Sequence, residues 1–194
     1  MIIGICGKSG SGKSTIAKQI VSNHKNAVHL DIDKIGHLSH KNKEVKEKLI
    51  NTFLSSILTN NEIDRKKLSV IVFSSKEEMK KLEKITWTFM ENEIDKFIKE
   101  NKDKIIILDY ILLPLTKYFK QCDIKILMNI PYQIRKERVL NRDNITEESF
   151  VLRESSSIEY EEYDFDIILN NEQEDILRRI KIWQKYFIQE VLIQ

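Results

Sequence analysis

The sequence predicts an α/β protein with a five-stranded parallel sheet and helices on both of its faces. Residues 104–109 and 124–130 are apolar without polar alternation, which is typical of parallel strands buried on both sides. Such stretches alternate with segments of helical periodicity, and this order favours a parallel sheet covered by helices. A glycine-rich loop directly after the first predicted strand, residues 2–6, is the third indication, because it joins a strand to a helix.

The loop at residues 7–15 fits the pattern G-x-x-x-x-G-K-[ST], and a helical pattern follows it from about 13 to 24. Glycines allow the backbone N–H groups to surround a phosphate, and the helix N-terminus adds a positive charge of roughly +0.5. We expect Lys13 to reach the β- and γ-phosphates and the Ser14 hydroxyl to bind Mg²⁺. The alternative, a glycine-rich turn without a ligand, would not require these flanks. The predicted nucleotide-binding residues are Gly7, Lys8, Ser9, Gly10, Ser11, Gly12, Lys13, Ser14 and Thr15.

Further elements follow from periodicity and capping residues. Residues 27–30 and 166–169 are predicted strands, and a helix is expected from about 174 to the end of the chain. Asp64 and Thr146 are predicted to cap helices, with Ile145 and Phe150 placed for a hydrophobic staple. The apolar residues expected to face the core from the middle helices are Val45, Leu49, Phe53, Leu54, Leu68, Ile71, Val72, Trp87, Met90, Ile94, Phe97 and Ile98.

Polar residues at the carboxyl ends of the strands are candidates for chemistry, because ligands of parallel sheets bind at that edge. Asp31 and Asp33 lie one strand step apart and point to opposite faces, so we expect one of them to face the acceptor hydroxyl as a candidate general base; alternatively Asp33 caps a helix beginning at Lys34. Asp109 is a candidate metal-site residue beside Mg²⁺, or simply a turn residue at the end of a strand. Asn170 ends the last predicted strand.

A basic helical segment follows the strand at 124–130. Arg135, Arg138 and Arg142 are spaced to share one helical face, and we expect at least one of them to contact the transferred phosphate. Residues 131–161 are predicted to form a lid that closes over the nucleotide and excludes water.

Length and composition limit the remaining possibilities. The 194 residues predict a single domain, 1–194, with a helical insertion at about 42–102. A net charge of +2 gives no reason to expect nucleic acid or a membrane surface as a partner, and no apolar run approaches the ~20 residues of a membrane span. We expect a cytoplasmic protein with a buried Cys6 thiol and no histidine or cysteine metal site; oligomeric state is left open.

Several nucleotide-binding classes can be set aside. Residues 101–104, Asn-Lys-Asp-Lys, do not match the guanine-reading Asn-Lys-x-Asp, and the chain is short for a helicase or a motor. A small phosphotransferase that uses ATP and Mg²⁺ remains, with a carboxylate beside the acceptor and arginines on the phosphoryl group.

The same residues resemble the dephospho-coenzyme A kinase family from residue 1 to about 180. The matching motifs are the loop at 7–15, Asp31-Ile32-Asp33-Lys34-Ile35-Gly36-His37, Asp64-Arg65 with Leu68 and Phe73, Leu82-Glu83-x-Ile85, Leu112-Leu113, Gln133 with Arg138 and Arg142, and residues 166–170. The resemblance implies phosphorylation of the ribose 3′-hydroxyl of dephospho-coenzyme A by ATP. It also implies that Asp33 is the base, that Arg138 and Arg142 belong to the lid, and that Asn170 lies where the nucleotide base binds.

Several positions depart from the family pattern. Thr86-Trp87 replaces His-Pro, Leu115 stands where a glutamate is usual, and Glu154 and Tyr160 replace a glutamine and an arginine. A glycine expected after residues 170–171 is Glu172. The departures spare the phosphate loop and fall mostly on the acceptor side, so a kinase for another small molecule, such as a nucleoside or nucleotide, is the first alternative. An inactive nucleotide-binding module is the second, although such a module would need only the loop.

Overall fold

The computed structural model describes residues 1–72, 75–155 and 157–170. The strands are β1 Ile2–Cys6, β2 Ala27–Asp31, β3 Leu58–Thr59, β4 Glu62–Ile63, β5 Ile105–Asp109, β6 Ile124–Met128 and β7 Ile167–Leu169. The α-helices are α1 Lys13–Asn23, α2 Ile32–Leu38, α3 Lys43–Phe53, α4 Arg65–Val72, α5 Lys76–Glu100, α6 Tyr132–Asp143 and α7 Glu147–Ser155. The predicted helix after residue 174 lies outside the described residues.

A five-stranded parallel sheet, accompanied by helices, confirms the predicted fold class. Within the described ranges its strand order is β2-β5-β1-β6-β7. Ile3 pairs with Ile124, and Ile126 pairs with Ile167, so β1, β6 and β7 are parallel neighbours. Ile3 and Ile5 of β1 and Ile124 and Ile126 of β6 are buried, which explains why these strands show no polar alternation.

The chain divides into two compact units. Among the described residues, the first comprises 1–25 and 109–170, and the second comprises 26–108. The second unit has its own apolar core, formed by Val45, Leu49, Phe53, Ile57, Ile63, Leu68 and Val72. The helical periodicity of residues 45–53 and 68–72 predicts this core because those positions share one face of each helix.

Side-chain caps fix several helix starts. Asp64 accepts hydrogen bonds from the N–H groups of Lys66 and Lys67 at 2.9 and 3.2 Å, and Thr146 accepts one from Ser149 at 3.3 Å, as predicted. For α2 the alternative assignment of Asp33 as the cap is wrong. The helix begins at Ile32, and Asp31 accepts the hydrogen bond from the N–H group of Lys34 at 3.2 Å.

Two further details differ from expectation. Leu54 is 69% exposed and has φ of 65°, because α3 ends at Phe53 and the chain turns away from the core. The short β3–β4 hairpin was not predicted. In α5, Met90 and Ile94 are buried, as their spacing predicts.

No helix in the described ranges is both long enough and apolar enough to cross a membrane.

Candidate active site

The loop between β1 and α1 has the conformation of a phosphate cradle. Gly12 precedes the first residue of α1 with φ of 88°, a left-handed conformation that L side chains rarely adopt. The carbonyl of Gly12 accepts hydrogen bonds from the N–H groups of Thr15 and Ile16 at 3.1 Å, so the helix starts directly at the loop. Because Gly12 has no side chain to cap α1, the first N–H groups of the helix are suited to an anionic ligand.

The loop packs closely against α6. A Cβ atom on Gly10 would lie 2.6 Å from the carbonyl oxygen of Arg135 and 2.9 Å from Cγ2 of Val139, and φ of Gly10 is 79°. A larger residue at this position would push the loop away from α6. The basic helix is therefore held against the phosphate loop by the backbone itself.

Lys13, Ser14 and Asp109 form the centre of the site in the first unit. The Lys13 side chain lies on the first turn of α1 and is 9% exposed. The Ser14 hydroxyl donates a hydrogen bond of 2.6 Å to Oδ2 of Asp109, a carboxylate that is 1% exposed at the end of β5. A serine hydroxyl and a carboxylate are oxygen ligands of the kind Mg²⁺ takes in phosphate-binding sites, so these residues fit the predicted metal.

Nearby thiols do not contribute to this chemistry. Cys6 and Cys122 are both buried and unoxidised. Burial raises the pKa of the Cys6 thiol far above its usual value, with a further contribution from Cys122, and burial raises the pKa of Cys122 to about 12. Both thiols therefore stay protonated, and the burial predicted for Cys6 is confirmed.

The three arginines of α6 have different environments. Arg135 is buried and forms hydrogen bonds of 2.7 and 2.6 Å with the carboxylate of Glu154. Arg138 donates to the carbonyl of Gly10 at 3.4 Å, at the rim of the loop. Arg142 is exposed and donates to Asp143 at 2.7 and 3.0 Å, a contact that raises the pKa of Arg142 and lowers that of Asp143.

Two of the residues that depart from the family pattern, Glu154 and Tyr160, contact the phosphate loop. Lys8 donates hydrogen bonds of 2.8 and 2.9 Å to the carboxylate of Glu159, and Glu154 lies 3.5 Å from the same ammonium group. The hydroxyl of Tyr160 accepts a hydrogen bond from the N–H group of Gly7 at 3.1 Å. The expectation that the departures lie on the acceptor side is therefore wrong for Glu154 and Tyr160. No local pattern in the sequence predicts these contacts, because residues 154–160 are distant from the loop along the chain.

Asn170 lies at the end of β7 in the first unit. Its side-chain oxygen accepts a hydrogen bond of 2.9 Å from Nδ2 of Asn129, which follows β6. The structure therefore groups Asn170 with the carboxyl ends of neighbouring strands, as the parallel topology predicts.

Asp33 belongs to the second unit, where it lies on the first turn of α2 and is partly buried. The same unit contains a cavity of about 250 Å³. Residues from several of the motifs quoted above line it together: Gly36, Arg65, Leu68, Leu82 and Thr86. His40 also lines it, and burial lowers the pKa of this histidine, with a further lowering from Arg65, so the imidazole is neutral at pH 7.

A parallel sheet with G-x-x-x-x-G-K-[ST] after its first strand, and a carboxylate bonded to the motif serine, defines the class of P-loop nucleotide-binding proteins. The sequence model of the dephospho-CoA kinase family matches residues 1–175. The chain belongs to the dephospho-CoA kinase family, which confirms the resemblance seen in the motifs.

Individual relatives agree with this assignment. The dephospho-CoA kinase of Fusobacterium nucleatum is 33% identical over 186 residues, covering 93% of this chain and 95% of the relative. The dephospho-CoA kinase of Aquifex aeolicus is 37% identical over 163 residues, covering 82% of each chain. A solved structure from Thermus thermophilus superposes with a TM-score of 0.81 at 27% identity, covering 96% of this chain and 97% of the other. The dephospho-CoA kinase structure from Campylobacter jejuni gives 0.59 at 25% identity, covering 95% and 96%.

Proposed function

We propose that this protein transfers the γ-phosphoryl group of ATP to the 3′-hydroxyl of dephospho-CoA in the cytoplasm. The observation that carries the proposal is the hydrogen bond of 2.6 Å between Ser14 and the buried Asp109, next to Lys13, in a chain of the dephospho-CoA kinase family. This arrangement joins the phosphate loop to a carboxylate at a strand end, which is what ATP-dependent phosphoryl transfer requires.

The first unit supplies the ATP side of the reaction. The N–H groups of the loop and of the first turn of α1 bind the phosphates, and the Lys13 ammonium neutralises charge on the β- and γ-phosphates. Ser14 and Asp109 would hold Mg²⁺, whose contribution when bound is to neutralise the charge that develops on the phosphate oxygens. Arg138 and Arg142 add positive charge from α6, and Asn170 contacts the nucleotide base.

Asp33 supplies the acceptor-side chemistry. Its carboxylate accepts the proton of the ribose 3′-hydroxyl while that oxygen forms a bond to the γ-phosphorus and the bond to the β-phosphate oxygen breaks. Since Asp31 already caps α2, the Asp33 carboxylate is not required for the start of that helix.

The cavity of the second unit is suited to the pantetheine arm of dephospho-CoA. Its walls include Leu68, Leu82 and Thr86, whose hydroxyl donates to the carbonyl of Leu82 within α5 at 2.9 Å. Arg65 also lines the cavity, and its charge complements the diphosphate that precedes the arm. An amphipathic arm with a diphosphate at one end matches apolar walls with one guanidinium among them.

The proposal is tested by incubating the protein with ATP, Mg²⁺ and separate acceptors: dephospho-CoA, nucleosides, nucleotides and shikimate. We expect CoA to form from dephospho-CoA and the Lys13→Ala variant to lose nearly all turnover, since a positioned donor to the transition-state charge can contribute about 10²–10³-fold. Product from a nucleoside or nucleotide alone would assign a different acceptor. Undiminished turnover by Lys13→Ala would remove the phosphate assignment.

A further inference from the structure

Two consecutive residues after α7 bind two consecutive residues at the start of the phosphate loop. Glu159 accepts the hydrogen bonds from Lys8 at 2.8 and 2.9 Å, and Tyr160 accepts the one from the N–H group of Gly7 at 3.1 Å. The Lys8 contact is a side-chain ion pair near the surface, whereas the Gly7 contact is buried and involves the loop backbone. Tyr160 is therefore the contact that can fix the position of the loop.

The Tyr160 hydroxyl connects two backbones. It also donates a hydrogen bond of 2.8 Å to the carbonyl of Ile111, two residues beyond Asp109. The tyrosine is 8% exposed, and its ring packs edge-on against Phe165 at a centroid distance of 5.9 Å. One phenol thus joins the first glycine of the loop to the segment that carries Asp109, while Ser14 at the other end of the loop bonds Asp109 directly.

We propose that Tyr160 is a positioning residue for the phosphate-loop and Asp109 pair. Gly7 presents a donor and Ile111 presents an acceptor, so the group between them must accept and donate at once. A phenol does both, whereas the arginine of the family pattern has donors only and cannot accept from Gly7. The replacement at residue 160 therefore gives this chain a different connection, one that sets the distance between the loop and the carboxylate.

The test compares Tyr160→Phe with the matched control Tyr163→Phe, whose ring contacts Phe119 edge-on at 6.0 Å. Without the phenol oxygen, the Gly7 amide loses its acceptor, and we expect its hydrogen exchange in the free protein to accelerate on the order of tenfold. We also expect kcat to fall on the order of tenfold, with the KM for dephospho-CoA unchanged and a higher Mg²⁺ concentration needed for half-maximal rate. The exchange measurement does not depend on the proposed kinase function.

A fluorinated tyrosine at residue 160 separates positioning from packing. It keeps the ring and the oxygen but loses its proton at a lower pH, after which it cannot donate to Ile111. If this hydrogen bond positions the loop, kcat should fall at alkaline pH as the phenol loses its proton. We expect that fall to occur at lower pH in the fluorinated variant than in wild type. Normal Gly7 exchange, normal Mg²⁺ dependence and an unshifted pH profile, with only a lower melting temperature, would overturn the proposal and leave Tyr160 as a packing residue.

Discussion

Arg135 has the spacing of a phosphate-binding residue in the sequence but binds a carboxylate in the structure. Its spacing places it with Arg138 and Arg142 on a basic face, which suggests phosphate binding. In the fold it is 6% exposed, and its guanidinium is bound by Glu154 and by the carbonyl of Ile130 at 2.9 Å. Glu154 is distant in sequence, so helical periodicity gives no sign of the pair. The charge of Arg135 is thus neutralised by a buried contact with a carboxylate, whereas a phosphate role for Arg138 and for the exposed Arg142 stays a prediction.

The Arg135–Glu154 pair gives the unfolding free energy a predictable pH dependence. Hydrogen bonding to Arg135 lowers the pKa of Glu154 below its usual value of 4.5. A lowered carboxyl pKa stabilises the fold fully above pH 4.5 and loses that contribution as pH falls through the folded-state value. We expect Glu154→Gln to be less stable than wild type by roughly 1–2 kcal/mol at neutral pH, with the difference shrinking in acid.

Urea unfolding from pH 7 down to about pH 3 measures this difference over the range in which carboxyl groups titrate. The exposed Glu162 provides the control, because Glu162→Gln removes a carboxylate of the same segment that is directed to solvent. A constant difference between Glu154→Gln and wild type at every pH would show that the Arg135 contact does not set the stability of this region.

The proposed role of Asp33 as the general base can be tested by substitution. Asp33→Asn removes the proton acceptor with little change of shape, so kcat should fall about 10²–10⁴-fold while the KM for ATP stays near normal. Asp31→Asn is the matched control, since asparagine also caps helices well and α2 should keep its start. Steady-state kinetics with varied ATP and dephospho-CoA distinguish the two. Equal losses in kcat and ATP affinity for Asp33→Asn would indicate a structural role.

At the scale of elements, the sequence predicts what depends on neighbouring residues. The capping of α4 by Asp64 and the loop–helix junction at residues 7–15 follow from short patterns, and both are observed. The start of α2 is harder to predict from the sequence, because aspartate is a suitable cap at both residue 31 and residue 33. In the structure only Asp31 has a non-helical backbone directly before the helix. The cavity lined by Gly36, Arg65 and Thr86 could not be predicted, since it needs the relative packing of α2, α4 and α5.

The face of α5 that lines the cavity provides a prediction about the acceptor. Thr86→Phe should fill part of the 250 Å³ and raise the KM for dephospho-CoA about tenfold, while the KM for ATP is unchanged. Thr88→Phe is a close control: Thr88 is exposed on the same helix, and its hydroxyl also donates to a carbonyl four residues earlier, at 2.8 Å. An equal effect of both substitutions, measured by initial rates, would place the pantetheine arm elsewhere.

For the molecule as a whole, the order of strands and helices was enough to predict a parallel sheet, because buried parallel strands have a distinctive apolar pattern. The sequence also predicts which residues of β1, β5 and α1 lie at the phosphate loop, since the carboxyl ends of parallel strands share one edge of the sheet. It does not predict the connections from residues 154–160 back to the loop, because they join distant segments through individual side chains. They matter for the predicted lid at residues 131–161, which contacts the loop through Arg135, Arg138 and Tyr160.

These contacts give the lid a test by limited trypsin digestion. Arg142 and Arg153 are accessible, with side chains 62% and 52% exposed, and both lie within the predicted lid. If the segment closes over bound nucleotide, a non-hydrolysable ATP analogue with Mg²⁺ should slow cleavage at these arginines several-fold, because Arg138 and Arg142 exchange solvent for phosphate. Cleavage after the exposed Lys66 in α4 is the internal reference and should not change. Equal protection at all three sites would indicate a general gain in stability from ligand binding, since binding to the native state suppresses every opening that passes through global unfolding. Protection confined to Arg142 and Arg153 requires a local change, and only that pattern supports closure of the lid.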